Sequence, residues 1–259
     1  MLRSHSLPVF FCLCAFLLLS FIPAEDEKDA PIRGAWMLVE KDQTSADDLQ
    51  IQMVKILSDG HFMFAFYNAE TQQFFSAGGG TYTFADGKYT ETIAFHTIDP
   101  NLAGRSLSFD VTFEGDKLMQ TGDINGTALS EVYQRIDDGT GSDLIGTWMQ
   151  ESVIDEKGKE KRFSKKNKKL KILSATRFQW VEYNAKSGKF VAAGGGEYAM
   201  ENEGYVETLH FFSPDSTVVG SDIAFNKEFS KDRWHLEEQV TRSDGKVFDV
   251  NEIWTRSDW

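Results

Sequence analysis

The residues best suited to chemistry are two sets of charged side chains that recur at corresponding positions. The first set is Glu91, Glu131 and Arg135, and the second is Glu207, Glu252 and Arg256. Their alternation with apolar residues predicts that both sets face a protein interior. Buried carboxylates are costly unless they are paired. One interpretation is therefore a structural network in which the arginine satisfies both glutamates; the other leaves one glutamate to bind a polar head group.

Acid–base catalysis is an alternative, because an aromatic pocket favours the protonated form of a carboxyl group such as Glu91 or Glu207. Motifs of known enzymes are missing, however: there is no Gly-x-Ser-x-Gly, no His-Glu-x-x-His and no calcium loop. The histidines after the N-terminal segment do not recur at equivalent positions; they are His61, His96, His210 and His235. We predict no catalytic residue, no metal and no cofactor.

Two runs of three glycines, "SAGGGTY" (76–82) and "AAGGGEY" (192–198), suggest either a phosphate loop or a bent backbone. A phosphate loop requires a following helix with a Lys-Ser or Lys-Thr pair. Here each run continues into a strand-like alternation. We therefore expect the glycines to allow a kink or bulge, as small barrels require.

An internal repeat organises the chain. "GAWMLVEK" (34–41) aligns with "GTWMQESV" (146–153), and "VKILSDGHFMFAFYN" (54–68) aligns with "LKILSATRFQWVEYN" (170–184). The repeat predicts two units at residues 34–137 and 146–259, joined by the Gly/Ser/Asp-rich linker 138–145.

Each unit is predicted to be all-β, with period-two alternation and frequent turn residues. In the first unit we predict strands near 34–41, 49–58, 61–68, 73–84, 88–97, 105–114, 116–123 and 128–136. The second unit repeats this pattern with four additional residues near its first or second strand. Eight short strands with tight turns favour an antiparallel up-and-down β-barrel in each unit.

A sixteen-stranded outer-membrane barrel has the same strand number. In that arrangement Glu91 and Glu207 would lie in the lipid-facing apolar belt, at a cost on the order of a few kcal/mol each near the bilayer midplane. We therefore expect both carboxylates to face inward and predict no transmembrane span in the mature chain.

Gly-x-Trp opens each unit (Gly34-Ala35-Trp36 and Gly146-Thr147-Trp148), and an arginine stands on each last strand. In this the chain resembles the calycin superfamily, specifically the tandem lipocalin-like domains of secreted bacterial proteins. The resemblance implies that the tryptophan lies at the closed end of the barrel with the arginine packed across it. It thus implies two structural pairs, Trp36 with Arg135 and Trp148 with Arg256.

The strand phases also predict an aromatic interior with a few polar groups, which is how barrel ligand sites are built. The candidate ligand-binding residues of the first unit are Phe64, Tyr82, Tyr89, Glu91, Phe95, Phe109, Glu131 and Tyr133. Those of the second unit are Trp180, Tyr198, Tyr205, Glu207, Phe211, Phe225, Glu252 and Trp254. In the second unit Glu182 and Lys227 replace Phe66 and Val111, so its interior is predicted to be more polar. Either this interior binds a different ligand, or Glu182 and Lys227 pair with each other.

The formal net charge of −13 argues against a general affinity for nucleic acid. Basic residues concentrate in Lys157–Lys171, where nine are Lys or Arg. This run is either a solvated surface or a contact for an anionic surface, including the acidic first unit. Few aromatic residues interrupt it, so nucleic acid is not a predicted partner.

The N-terminal sequence has one basic residue, Arg3, and an apolar run at 9–22 that ends before Ala24. This pattern predicts a signal peptide at residues 1–24, followed by an acidic segment at 25–33, and hence a secreted or periplasmic protein, with residual membrane anchoring if the peptide stays uncleaved. Both cysteines, Cys12 and Cys14, fall within the predicted signal peptide, so no disulfide is expected.

From these features we expect a non-catalytic exported protein that binds a small apolar or amphipathic molecule inside one or both barrels. Two alternatives remain open. One is an interaction module with filled barrels that recognises a protein, a glycan or an anionic surface. The other is a barrel enzyme that uses a buried glutamate on a lipidic substrate.

Overall fold

The structure is a computed structural model that describes residues 31–42, 44–45, 51–201, 204–241, 245 and 247–257. The predicted signal peptide, most of the acidic segment 25–33 and the start of the strand predicted at 49–58 lie outside these residues. None of the helices in the described part of the chain has the length and apolar character that crossing a membrane requires.

The first sheet is antiparallel and closes on itself, because its last strand pairs with its first through Trp36 opposite Arg135 and Leu38 opposite Tyr133. Its strands are β1 (Gly34–Lys41), β2 (Thr44–Ser45), β3 (Gln52–Ser58), β4 (His61–Tyr67), β5 (Phe74–Ala85), β6 (Lys88–His96), β7 (Ser106–Glu114), β8 (Lys117–Ile124) and β9 (Thr127–Asp137).

The second sheet repeats this order and closes through Trp148 opposite Arg256 and Gln150 opposite Trp254. Its strands are β10 (Gly146–Ile154), β11 (Glu160–Arg162), β12 (Asn167–Leu173), β13 (Arg177–Asn184), β14 (Phe190–Glu201), β15 (Gly204–Phe212), β16 (Asp222–Phe229), β17 (Arg233–Thr241) and β18 (Val247–Arg256). The predicted pair of eight-stranded antiparallel barrels is confirmed. Each sheet also contains a short strand, β2 or β11, that the sequence did not predict. This strand pairs with the C-terminal end of the first strand of its sheet.

The glycine runs lie on β5 and β14, and each run faces a bulge in the next strand, β6 or β15. Gly79 pairs with Phe95 and Gly80 with Ile93, so Ala94 is an extra residue on β6. A Cβ at Gly80 would lie 1.9 Å from the carbonyl oxygen of Thr92. The bulge therefore needs a residue without a side chain, and the expected structural role of these glycines is confirmed.

The bulges correct the predicted phase of two aromatic residues. Ile93 and Leu209 face the barrel interiors, but the extra residue turns Phe95 and Phe211 to the outside. Strict period-two alternation had placed both phenylalanines inside, so their assignment as ligand-binding residues is wrong. Phe212 takes the inner position in the second barrel instead, where its ring lies 5.7 Å from that of Trp180.

The outward-facing aromatic residues join the two barrels. The ring of Phe95 stacks on Tyr183 at 5.2 Å, and the ring of Tyr67 stacks on Phe211 at 5.3 Å. Tyr67 and Tyr183 occupy equivalent positions in the repeat, as do Phe95 and Phe211. Both contacts therefore join the same two positions of the repeat, with the two barrels exchanged, as at a two-fold dimer interface.

A third stacked pair, Phe74 with Phe190 at 5.8 Å, joins equivalent residues to each other and so marks the pseudo-two-fold axis. The shared core around it also contains Ile56 and Ile172, again equivalent positions. The chain is thus an internal dimer whose two halves bury one apolar interface.

Substitution Gly80→Ala should destabilise the protein by about 1–3 kcal/mol or more, because the new methyl group would overlap a backbone oxygen that cannot move without breaking the bulge. Chemical denaturation measures this loss. Gly196→Ala should have a similar effect, since its Cβ would also lie 1.9 Å from a carbonyl oxygen, that of Thr208. Thr81→Ala, on the same strand, is the control. A loss at Gly80 no larger than at Thr81 would contradict this role.

The stacked pair between the barrels predicts energetic coupling across the interface. Phe95→Ala and Tyr183→Ala should each destabilise the protein, and their double-mutant cycle should give a coupling of about 0.5–1.5 kcal/mol. A control cycle joins Phe95→Ala with Leu236→Ala, which lies in the interior of the second barrel. It should be additive within about 0.5 kcal/mol. Additivity in both cycles would argue against a shared core.

Candidate functional site

Each barrel is closed at one end by a tryptophan and an arginine. The Arg135 guanidinium lies 4.0 Å from the centre of the Trp36 ring and donates to the carbonyl oxygens of Arg33 and Pro31, at 2.9 and 2.7 Å. The Arg256 guanidinium lies 4.1 Å from the Trp148 ring. These arginines stabilise the chain segments that enter each barrel.

The predicted glutamate–arginine network is wrong, because lysines take the place of the arginines. Among the described residues, no ion pair joins Arg135 to Glu91 or Glu131. Arg135 lies at the end of the barrel and makes no ion pair with the interior glutamates. Its guanidinium donates to backbone carbonyl oxygens instead.

In the first barrel a continuous chain of polar contacts satisfies both glutamates. Lys55 Nζ contacts Glu91 Oε1 at 3.0 Å and Gln120 Oε1 at 3.4 Å. Gln120 in turn donates to Glu131 Oε2 at 3.5 Å, and Lys41 reaches Glu131 Oε1 at 2.8 Å from the rim. All charges of this interior are therefore paired within the protein.

The rest of the first interior is filled by aromatic and aliphatic side chains. Phe62, Tyr89 and Phe109 are almost completely buried and pack ring against ring. The cavity beside Lys55 and Gln120 measures about 10 Å³, close to the space for one water molecule. Among the described residues, side chains of the protein itself occupy most of the space beside this network.

The second barrel holds two separate ion pairs. Lys171 Nζ contacts Glu207 Oε1 at 2.5 Å deep in the interior, and Lys169 Nζ contacts Glu252 Oε1 at 2.6 Å nearer the rim. Leu236 lies opposite Glu252, where the first barrel has Gln120 opposite Glu131, so no amide bridges the two pairs.

Between these pairs lies a cavity of about 200 Å³. Its polar lining includes both ion pairs, and its apolar wall includes Trp180, Leu209, Phe212, Ile223, Phe225 and Trp254. The ammonium group of Lys169 lies 5.0 Å from the Trp180 ring and 5.4 Å from the Trp254 ring. An apolar cavity with a few oriented polar groups is typical of a small-molecule site.

Buried tyrosines support the ion pairs as donors. Tyr205 donates to Glu207 Oε1 at 2.9 Å, and Tyr133 donates to Glu131 Oε2 at 2.6 Å. Burial, followed by the adjacent glutamate, raises the pKa of each of these two phenols well above 10. Both hydroxyl groups therefore keep their protons at neutral pH.

The other candidate residues lie where their strands place them. Within the interior cores are Phe64, Tyr82, Tyr89, Phe109 and Tyr133 of the first barrel and Trp180, Tyr198, Tyr205, Phe225 and Trp254 of the second. The structure brings Trp180, Glu207, Phe225, Glu252 and Trp254 together around the cavity. Tyr198 instead donates to the carbonyl oxygen of Ser174 at 2.7 Å.

Sequence reasoning missed the buried lysines. Lys55 and Lys171 stand at equivalent positions in "VKIL" and "LKIL", each surrounded by apolar residues on a predicted strand. A lysine inside an apolar strand in both repeats was the signal that could have marked these two residues as interior, although it does not show which carboxylates they contact.

The basic run Lys157–Lys171 is divided by the fold. Lys169 and Lys171 belong to the barrel interior, which corrects their assignment to an anionic-surface contact, whereas Lys165 and Lys166 are exposed. Glu182 accepts a hydrogen bond from Asn167 at 2.7 Å. The side chain of Lys227, predicted as its partner, lies outside the described side chains.

Among the described residues, no group of three or more His, Cys, Asp or Glu side chains could hold a metal ion. The charged groups that line the cavity are the two lysine–glutamate pairs and Asp249.

Comparisons with known proteins give three findings. Residues 31–140 match the family described as a Domain of unknown function (DUF4488). A search of curated proteins finds no match to the chain. A solved structure of a lipocalin-like protein from Bacteroides uniformis is similar at 15% identity, with a TM-score of 0.33, over 45% of this chain and 100% of that chain.

The difference in filling predicts a larger loss of stability in the first barrel than in the second for the same substitution. Leu107 and Ile223 are equivalent residues that lie opposite Glu91 and Glu207. Leu107→Trp should destabilise the protein by about 1–3 kcal/mol, because the first interior is full. Ile223→Trp should cost less, since its side chain lines the open cavity. Chemical denaturation of both variants tests this; equal losses would contradict a hollow second barrel.

Proposed function

We propose that the protein binds a small amphipathic molecule in the second barrel without catalysing a reaction, and that the first barrel has a structural role. The observation that carries this proposal is the contrast between a cavity of about 200 Å³ in the second barrel and one of about 10 Å³ at the polar network of the first.

The lining of the larger cavity supports binding. Trp180, Phe212 and Trp254 supply aromatic surface that favours a planar or apolar ligand body. Lys169 and Glu252 lie nearer the rim and supply polar contacts that orient a head group. Each glutamate contacts a lysine, so both carboxylates have a fixed partner within the barrel.

The proposal includes export. Residues 1–24 have the composition of a signal peptide, and residues 25–33 form an acidic segment before the first barrel. We propose residues 34–137 and 146–259 as the two lipocalin-like domains, with 138–145 as their linker, in a secreted or periplasmic protein. The proposed ligand is therefore a molecule found outside the cytoplasm.

Native mass spectrometry of the full chain, expressed in cells that process its N-terminus and purified without detergent, tests the proposal. We expect a reproducible small-molecule adduct that is lost on denaturation. Ile223→Trp, which fills the cavity, should abolish the adduct. Ala224→Trp is the matched control. Ala224 is the next residue along the strand and is exposed, so this variant adds the same indole outside the barrel.

An adduct that survives Ile223→Trp would place the ligand elsewhere and contradict the proposal. A protein without an adduct, which also shows no stabilisation by any member of a small-molecule library, would favour the alternative of an interaction module that acts through its outer surface.

A further inference from the structure

We propose that the ligand of the second barrel is uncharged, has a body about the size of one ring, and carries a hydrogen-bond acceptor that Lys169 binds. This inference rests on the proposed binding function and names the ligand class of the same cavity.

The charge balance of the cavity favours a neutral ligand. Lys171 and Glu207 neutralise each other in the interior, and Lys169 and Glu252 do the same nearer the rim. Asp249 also lines the cavity, but it is exposed to solvent. A ligand carboxylate would add a third negative charge to two lysines already paired, and a ligand ammonium would compete with Lys169. Either would leave an unpaired charge in a poorly hydrated space, which is costly.

Lys169 nevertheless has donor capacity to spare. A lysine ammonium group has three N–H donors. Within the part of the chain that the structure describes, its hydrogen bond goes to Glu252, and its other close neighbours are the two tryptophan rings. Because Lys169 lines the cavity, a carbonyl or hydroxyl oxygen of a ligand can accept the remaining donors without disturbing the ion pair.

Gln150 adds a second polar group on the same face. It is 4% exposed and lies opposite Trp254, at the position that Leu38 occupies opposite Tyr133 in the first barrel. Neither its amide nitrogen nor its amide oxygen has a hydrogen-bond partner among the described residues. The cavity lining does not include Gln150, so Lys169 remains the donor assigned to the ligand.

The space between the two ion pairs fits a ligand body of about one ring. An apolar cavity of about 150 Å³ accommodates benzene, and the present cavity measures about 200 Å³. The additional space suits a short polar substituent. The tryptophan rings on the wall favour an aromatic or flat ring body.

The two barrels differ in where the lysine that pairs with the last-strand glutamate comes from. In the first barrel Lys41 lies opposite Glu131 and reaches it from the rim, while Met53 faces the interior. In the second barrel Val153 lies opposite Glu252, and Lys169 replaces the methionine. The lysine that pairs with the last-strand glutamate thus lies at the rim in the first barrel and lines the cavity in the second, where it can contact a ligand.

This difference supplies a matched variant. Val153→Lys combined with Lys169→Met transfers the arrangement of the first barrel to the second. The new lysine can neutralise Glu252 from the rim, so no buried charge is left unpaired. Near-ultraviolet circular dichroism and the unfolding midpoint check that the double variant is folded.

The experiment measures binding of benzamide, benzoate and benzylammonium to the full chain by titration calorimetry and tryptophan fluorescence. These probes share one ring and differ in head-group charge. We expect benzamide to bind at least about tenfold more tightly than either charged probe. We expect the double variant to lose about tenfold in benzamide affinity, the effect of one hydrogen bond to a charged donor. Ile223→Trp should abolish benzamide binding.

Tighter binding of benzoate or benzylammonium would overturn the neutral-ligand inference, and so would binding of none of the three probes. Unchanged benzamide affinity in the double variant would overturn the role of Lys169. None of these results removes the proposed function, because the adduct seen by native mass spectrometry tests that function without the probes.

Discussion

Each barrel is built around a buried lysine–glutamate ion pair, Lys55 with Glu91 and Lys171 with Glu207. Removing one partner of such a pair costs about 3–5 kcal/mol, because the other charge is left buried. The strands β3 and β6, or β12 and β15, must therefore keep a register in which the two side chains meet. The remaining interior packs around this fixed contact with aromatic rings and tyrosine donors.

The same ion pair has different consequences in the two halves because the surrounding residues differ. In the first barrel Gln120 links it to Glu131, and large rings fill the remaining space. In the second barrel Leu236 replaces the linking amide and Lys169 enters the interior, so the two pairs stand apart. The two halves of the repeat thus differ among the described residues: about 10 Å³ is open beside the network of the first barrel, and about 200 Å³ lies between the ion pairs of the second.

The two barrels also contact each other through an interface of aromatic rings and hydrogen bonds. Stacked rings on the outside of both barrels meet about a pseudo-two-fold axis, and the Asp137 carboxylate at the end of the first barrel accepts hydrogen bonds from Ser174 and Thr176 of the second. The barrel that contains the cavity is thereby joined to the packed barrel through a shared apolar core. The glycine bulges make this possible, because they turn Phe95 and Phe211 outward at the contact.

The sequence by itself determined the two repeats, the eight antiparallel strands of each barrel and the structural role of the glycines. These features depend on local alternation, turn residues and similarity between the halves, all of which are present in the order of the residues. It could not assign the partners of Glu91 and Glu207, because Lys55 and Lys171 are distant in the chain and only sheet register brings them together. It also misplaced Phe95 and Phe211, because one extra residue in a bulge reverses the face of every later side chain on that strand. Which barrel is hollow was decided by the tertiary structure alone, since a cavity depends on the summed volumes of side chains from all strands rather than on any single motif.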